Sequence, residues 1–409
     1  DLAYRFQWNS PIRISPHDPS VLYHCANVVL KSIDEGRSWS EISPDLTRDD
    51  ESRQGYAGEP ITRDNTGVEV YGTVFAFEES PHQAGLLWAG SDDGLVHISS
   101  DRGANWSDIT PAGMPEWGTV NAIEISAHDQ DRAFIAVHRY RVDDFRPYIF
   151  RTNDSGETWT RLTDGVNGIP ANHFVRVVRE DPEQKGLLYA GTEFGLYVSF
   201  SDGASWRPLQ LNLPVTPITD LAVKRGDLVV ATQGRSFWIL DDLTVLHQLA
   251  DEVADIEYHL FTPRTVVRWV DQSGGGGRGT VGQNPPFGAV IHYTLPDGLD
   301  EEDADEVKLD LLDAEGEVLR SLSSQTPEKR APSPWRQMFP ELFDPPLLDA
   351  RAGANRYVWN LALPDAGLVD DAVVWGFPGG PTVPPGSYQA RLTVGEWSET
   401  VSFDVVQDP

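Results

Sequence analysis

The feature that most limits the fold is a phrase of eight residues that the chain states four times. Its clearest copy is Thr152-Asn153-Asp154-Ser155-Gly156-Glu157-Thr158-Trp159. Ser32–Trp39 and Ser99–Trp106 repeat it, and Ser199–Trp206 is a worn copy with Ser201 where the others carry Asp. The common form is Ser/Thr-x-Asp-x-Gly-x-x-Trp, with the tryptophans 67, 53 and 47 residues apart. An Asp carboxylate accepts backbone N–H groups and closes a turn, glycine supplies a positive φ, and the Trp leaves the loop as a large apolar plug. A hairpin stapled to its neighbour, repeated at roughly the length of one four-stranded blade, is the pattern of a β-propeller. Asp34, Asp101, Asp154 and Asp202, with Trp39, Trp106, Trp159 and Trp206, are therefore read as structural residues, each carboxylate held by its own turn.

Short apolar runs broken by turn residues divide the chain into blades over residues 12–42, 70–109, 120–162 and 174–209. A fifth, over 218–249, has no repeat: Leu240-Asp241-Asp242-Leu243 occupies that place, and Val245–Leu249 is the expected fourth strand. Five blades lie within the typical four to eight, so the ring either closes alone or is completed by other blades. Ile256–Phe261 and Thr265–Val270 read as one more hairpin returning to the propeller. Residues 271–284, with the run Gly274-Gly275-Gly276-Gly277, read as a linker. Alternating runs from 285 to 409, some seven strands, fit an Ig-like sandwich with a Pro- and charge-rich insertion over 323–356. The expected class is all-β: propeller blades over 1–270, then the sandwich over 285–409.

The repeats resemble the Asp-box of bacterial neuraminidase (BNR) repeats, found in sialidases, in xyloglucanase-type glycosidases and in the sortilin ectodomain. More of the chain is similar to one bacterial family, the sortilin-like "glycosyl hydrolase" propellers. The likeness rests on Phe6-Gln7-Trp8-Asn9-Ser10-Pro11, Ile61–Thr66, Asp143–Tyr148, Gly191–Leu196 and Gly234–Asp242. It covers residues 1–270 well and the rest more loosely. It implies a secreted, periplasmic or cell-surface protein, and blades that complete a larger ring with an upstream segment or a partner chain. Asn355–Trp359 and Pro385–Tyr388 resemble the Ig-like domains of flagellar hook-capping proteins and of secreted enzymes. The start at Asp1, mid-repeat and without a signal-peptide pattern, reads as a processed chain or a fragment.

Sixty-three acidic against 32 basic residues give a net charge of −31, a field that repels phosphate backbones and argues against nucleic acid. Five lysines beside 27 arginines fit a salt-tolerant surface. No run reaches the ~18 apolar residues of a membrane span. Cys25 is alone, so no intramolecular disulfide forms. The ten histidines lack transition-metal spacing, and no Gly-x-Ser-x-Gly elbow occurs. No cofactor is expected. The acidic runs Asp49-Asp50-Glu51 and Asp300-Glu301-Glu302-Asp303 would hold Ca²⁺ only weakly and read as solvated charge.

In an up-and-down blade the 3–4 turns, here the repeats, lie on one rim. The 2–3 turns and the 4–1 connections lie on the other. That second rim gathers Asp92, Asp93, Arg139, Tyr140, Arg141, Asp143, Asp144, Glu193, Phe194 and Arg235 from the 2–3 turns. The long connection into blade two adds Arg63, Asp64, Glu69 and Tyr71. Carboxylates, guanidiniums and aromatics at equivalent positions suit a glycan or an extended peptide. Asp64, Glu69, Asp93, Asp144 and Glu193 are the candidates for the two carboxylates of glycoside hydrolysis. Three functions follow: a binding or scaffold module using this rim, a sialidase- or xyloglucanase-like hydrolase, and a purely structural part of a larger propeller.

Overall fold

Wherever a turn centred on Gly, Pro or Asp lets the chain double back, the apolar runs pair as short antiparallel strands. The computed structural model describes residues 3–55, 69–251, 257–269, 284–299, 305–325, 347–364 and 380–408. They fall into two units, Asp1–Leu240 and Asp241–Pro409.

The first unit holds five up-and-down sheets. Blade one is Ile12–Ile14, Leu22–Cys25, Val29–Ser32 and Ser40–Glu41. Blade two is Val74–Glu79, Leu87–Ser91, Val96–Ser99 and Ser107–Asp108. Blade three is Thr119–Ile125, Ala133–Arg139, Asp144–Thr152 and Thr160–Arg161. Blade four is Val175–Glu180, Leu188–Thr192, Gly195–Ser199 and Arg207–Pro208. Blade five has three strands, Ile218–Lys224, Asp227–Thr232 and Phe237–Leu240. The first strand of each blade is innermost. In blades two to five it carries a register shift near its start, at Phe75, Asn121, Arg176 and Thr219. In blades two and four this bulge makes the burial run B-i-B-B-i-B, so residues three apart turn toward the centre. Between blades two and three, Trp88 and Val96 pack on Val120, Ile123 and Val137 in a dry core.

The repeats do what their residue types require. In blade three the Thr152 Oγ1 accepts the Gly156 N–H at 2.9 Å and donates to the Asp154 carboxylate. That carboxylate accepts the Thr158 N–H at 2.8 Å and its hydroxyl at 2.6 Å. Blades one and two repeat the pattern through Asp34 and Asp101. The next step crosses to the preceding blade. Trp106 Nε1 donates to the Ile42 carbonyl at 3.0 Å, Trp159 Nε1 to Ile109 at 2.8 Å and Trp206 Nε1 to Leu162 at 3.2 Å. A Cβ on Gly156 would lie 2.6 Å from Ile109 Cδ1, so glycine there serves both the turn, at φ +91°, and the junction.

Blade four requires one correction. Ser201, not Asp202, fills the turn: its Oγ accepts the Ser205 N–H at 2.9 Å. The Asp202 carboxylate instead pairs with Arg132 and Arg151 of blade three. It is an inter-blade ion pair, displaced one residue from the position that closes the other turns.

A second set of staples repeats beside the first. His17 Nε2 reaches the Ser80 carbonyl at 2.8 Å, His82 the Ser126 carbonyl at 2.9 Å and His128 the Asp181 carbonyl at 2.7 Å. A carbonyl only accepts, so each Nε2 carries the proton. Each histidine's own N–H donates to the hydroxyl two residues before it, Ser15, Ser80 or Ser126. Blades one to four are thus joined at every junction by an indole pointing back and an imidazole pointing forward.

Beyond Leu240 the structure departs from the sequence reading. Val245–Leu249 is not a fourth strand but part of an α-helix, Thr244–Asp251, opened by the Asp242 carboxylate accepting the Thr244 N–H and hydroxyl. The expected hairpin does not return to the propeller. His259–Leu260 pairs with Ala289–Leu295, and Val266–Arg268 runs parallel to Trp397–Gln407. The second unit is a sandwich of one three-stranded and one five-stranded sheet. Ile291, Tyr293 and Trp359 on one side meet Leu309, Leu311, Leu392 and Val405 on the other. The glycine run and most of the proposed insertion lie outside the described residues.

Candidate functional site

The two rims are distinct. Each repeat turn is tied to its own 1–2 turn, as in Arg102 N–H to the Gly85 carbonyl at 3.0 Å. In blades two, four and five the 2–3 turn is tied to the residue just before or at the start of its blade's first strand, as in Glu193 N–H to the Phe174 carbonyl at 3.1 Å. In blade three His138, just before its 2–3 turn, pairs with Thr119 at the start of the first strand. Asp92, Asp144 and Glu193 therefore share the rim opposite the repeats.

On that rim the carboxylates are held by fixed donors. Asp92 is buried and accepts the Gly72 and Thr73 N–H groups and the Thr73 hydroxyl; burial pushes its carboxyl up to about 6. Asp93 accepts the Ser91 hydroxyl and the Arg48 N–H, and burial raises it too. Asp144 accepts two bonds at 2.8 Å from the Arg146 guanidinium and one at 2.8 Å from the Tyr148 hydroxyl. Arg139 adds a longer ion pair at 3.7 Å. Those donors, Arg146 first, hold Asp144 far below the usual carboxylate range, so it is no general acid. Glu193 receives two bonds from Arg176, at 3.0 and 2.7 Å. Glu69 accepts the Trp8 indole N–H at 2.8 Å. Arg63 and Asp64 lie outside the described residues. Asp143 ends a short 3₁₀ turn at φ +60°, and Arg235 is exposed beside blade five.

The rim brings together aromatic faces. Tyr140 stacks on Phe174 with centroids 4.7 Å apart and 18° between planes. Arg176 lies over both rings, and Arg141 over Tyr140. Phe145, 45% exposed, extends this ledge on one side. Beyond Arg176 and its partner Glu193, Phe194, 43% exposed, lies 4.6 Å from the His173 ring. A second ledge forms at the junction of blades two and three. Tyr71 stacks on Trp117 at 6.3 Å, and Arg53 and Arg48 lie over the indole at 3.8 and 5.0 Å. The Tyr71 hydroxyl is pushed up to about 12, chiefly by burial. Sequence reasoning named Tyr71, Tyr140 and Phe194 but missed Trp117, His173, Phe174 and Arg176. Their signal was present: each enters from a 4–1 connection or a bulge on the rim already singled out.

Sequence reasoning also missed a cluster in the central channel. Arg13, Glu78, Glu124, Arg179 and Asp220, one from each innermost strand, line a cavity of about 500 Å³. Arg13 Nε donates to Glu78 at 2.7 Å, and Arg179 pairs with Glu124 at 3.3 Å and with Asp220 at 2.8 Å. Burial raises the Glu124 carboxyl to about 7, with the neighbouring Glu78 charge adding and Arg179 opposing. Glu78 is raised as well, again mainly by burial. Among the described residues no group of three or more His, Cys, Asp or Glu side chains is arranged to hold a metal ion, and no helix is long and apolar enough to cross a membrane.

No protein-family model matches the chain. Over 260 residues it is 26% identical to a xyloglucanase from a Paenibacillus species, a match covering 58% of this chain. The chain spans only 24% of that relative's length. Among solved structures, an ancestral GH74 enzyme aligns over 81% of this chain and 40% of its own, with 14% identity and a TM-score of 0.42. YCF48 bound to D1 peptide aligns over 58% of this chain and 67% of its own, with 16% identity and a TM-score of 0.36.

Proposed function

We propose that the chain is a binding module that works outside the cytoplasm, taking a glycan across the aromatic ledges opposite the repeat turns. One observation carries this reading: the Asp92, Asp93, Asp144 and Glu193 carboxylates are engaged by fixed donors, while Phe145 and Phe194 are exposed and Tyr140, backed by the buried Phe174 ring, lies between them with Arg141 and Arg176 alongside. Sugar rings stack on such faces through their C–H surfaces, and guanidiniums bond their hydroxyls. The name of the xyloglucanase relative points to the same ligand class. A glycan and peptide array tests it: glycan hits that vanish in Phe194→Ala and Tyr140→Ala support the reading. Hits confined to peptides, or unchanged by either substitution, count against it.

A second reading, glycoside hydrolysis, draws on the channel. Glu124 titrates near neutrality beside Glu78, and hydrolysis needs one carboxyl that keeps its proton near another carboxylate. Release of reducing ends from xyloglucan oligosaccharides, abolished by Glu124→Gln, would favour this second reading over binding alone.

A further inference from the structure

Blades one to four repeat one arrangement along the channel. A charged residue of the first-strand segment is followed, three positions later in the 1–2 turn, by a compact apolar one. The pairs are Arg13 and Pro16, Glu78 and Pro81, Glu124 and Ala127, and Arg179 and Pro182. All of them line the cavity of about 500 Å³, and Ile14 and Val223 add to its apolar part. The histidine staples tie these turns together, because His17, His82 and His128 each follow the apolar residue directly and reach the next blade. The cavity thus has an apolar collar at the turn end and a charged floor within the strands.

That floor is one positive charge short. Glu78, Glu124 and Asp220 meet two guanidiniums, Arg13 and Arg179. Arg13 donates to Glu78 at 2.7 Å, and Arg179 to Asp220 at 2.8 Å. Other Arg179 donors go to backbone carbonyls, Leu221 at 2.9 Å and Val178 at 3.2 Å. Glu124 keeps only an ion pair at 3.3 Å, with 23% of its side chain open and no side-chain hydrogen bond among the described residues. On the same wall Glu180 Oε1 accepts from Arg132 and the Gly186 N–H, while its Oε2 is buried with no hydrogen-bond partner. Among the described residues no such cluster is arranged for a metal ion. A floor with unmet acceptors, reached past an apolar collar, fits a cation that carries N–H donors on an apolar stem.

We propose that the turn end of the channel binds a primary ammonium on an unbranched aliphatic stem, as in a lysine side chain or a free diamine, with Glu124 as its anchor. The stem lies along Pro16, Pro81 and Pro182, and the ammonium supplies the charge that the floor lacks. The net charge of −31 draws cations toward this mouth. The repeat turns, farther out, take no part. The inference is independent of what the ledges bind, and it casts Glu124 as an ionised anchor, not as the proton donor of the hydrolysis reading.

Calorimetric titration of n-pentylammonium chloride into the natural chain at pH 8.5 tests it, with 1-pentanol and shorter alkylammonium ions as controls. Pentylammonium should bind at least about tenfold tighter than pentanol, and each methylene from ethylammonium upward should tighten binding about two- to fourfold. Glu124→Gln should weaken pentylammonium at least about tenfold with no loss of melting temperature. Acidification should act in the same direction. The charged groups facing Glu124 are Arg13, Glu78, Arg179, Glu180 and Asp220. Burial raises Glu124 to about 7 and raises Glu78 as well, while the arginines stay charged. Binding should therefore be present at pH 8.5 and fade toward pH 5.5. No binding of pentylammonium, equal affinity for pentanol, or full affinity in Glu124→Gln overturns the proposal. Two more probes identify the source. Tighter binding of N-acetyl-lysine methylamide than of 1,5-diaminopentane supports a peptide side chain, and the reverse order supports a free diamine. Failure of both probes counts against the site.

Discussion

Trp159 of blade three donates its indole N–H to the Ile109 carbonyl of blade two at 2.8 Å, fifty residues earlier in the chain. One half-buried side chain thereby leaves its own turn, packs at the edge of an inter-blade core and satisfies a backbone carbonyl of the neighbouring blade. The same relation recurs at two other junctions, and each can be broken separately.

Trp206, 3% exposed, and Trp39, 42% exposed, hold the same place in their repeats but different places in the stack. Trp206→Ala should cost about 3–5 kcal/mol, the range for emptying a buried aromatic site. Trp39→Ala should cost under ~1.5 kcal/mol. Urea unfolding of the two variants checks the difference.

Gly36 and Gly156 have nearly the same backbone, φ +88° and +91°, so alanine strains both turns alike. Only at Gly156 would the new methyl meet the preceding blade, at Ile109; at Gly36 the nearest heavy atom would be 3.5 Å away. Gly156→Ala should therefore destabilise by about 1–3 kcal/mol more than Gly36→Ala. Thermal or urea unfolding of the pair isolates the packing from the turn.

How much of this was legible in the sequence depends on where the signal sat. The turns were readable because Thr152, Asp154, Gly156 and Trp159 lie within eight residues and explain one another. Ser15-x-His17, Ser80-x-His82 and Ser126-x-His128 are as regular but were missed, because the partner of each is a backbone carbonyl in another blade, which sequence does not display. The channel residues escaped for a related reason. Glu78, Glu124 and Arg179 become neighbours only through the ring, and the bulges at Phe75, Asn121 and Arg176 hide the alternation that would have marked them as inward. The helix at Thr244–Asp251 was read as a strand because five apolar-rich residues do not distinguish the two without the Asp242 cap.

Asp144 should stabilise the rim only while ionised. Its pKa is depressed by Arg146 and Tyr148, so its contribution is present above the unfolded value near ~4 and is lost as pH falls toward the lower folded value. Asp144→Asn should cost about 1–3 kcal/mol at pH 7. The gap from the natural chain should narrow steadily between pH 4 and pH 2 in denaturation series.

Glu124 has the opposite sign. Its pKa is raised to about 7, so the folded state holds a proton that the unfolded chain has already released between roughly pH 4.5 and 7. Folding stability is therefore lost as pH climbs through that window. Glu124→Gln should be close to neutral at pH 4.5 and stabilising by about 1–3 kcal/mol at pH 8.5, the difference appearing in paired melting curves.

Calorimetric titration of the strongest array ligand into the natural chain, into Phe194→Ala and into Glu157→Ala compares the two rims directly. Phe194 stands on the ledge, and Glu157 sits on an exposed repeat turn of the opposite rim. Affinity should fall at least tenfold in Phe194→Ala, with unchanged melting temperature, and stay within about twofold in Glu157→Ala. Weakened binding in Glu157→Ala with full affinity in Phe194→Ala would place recognition on the rim that holds the repeats and contradict the assignment of that rim to structure alone.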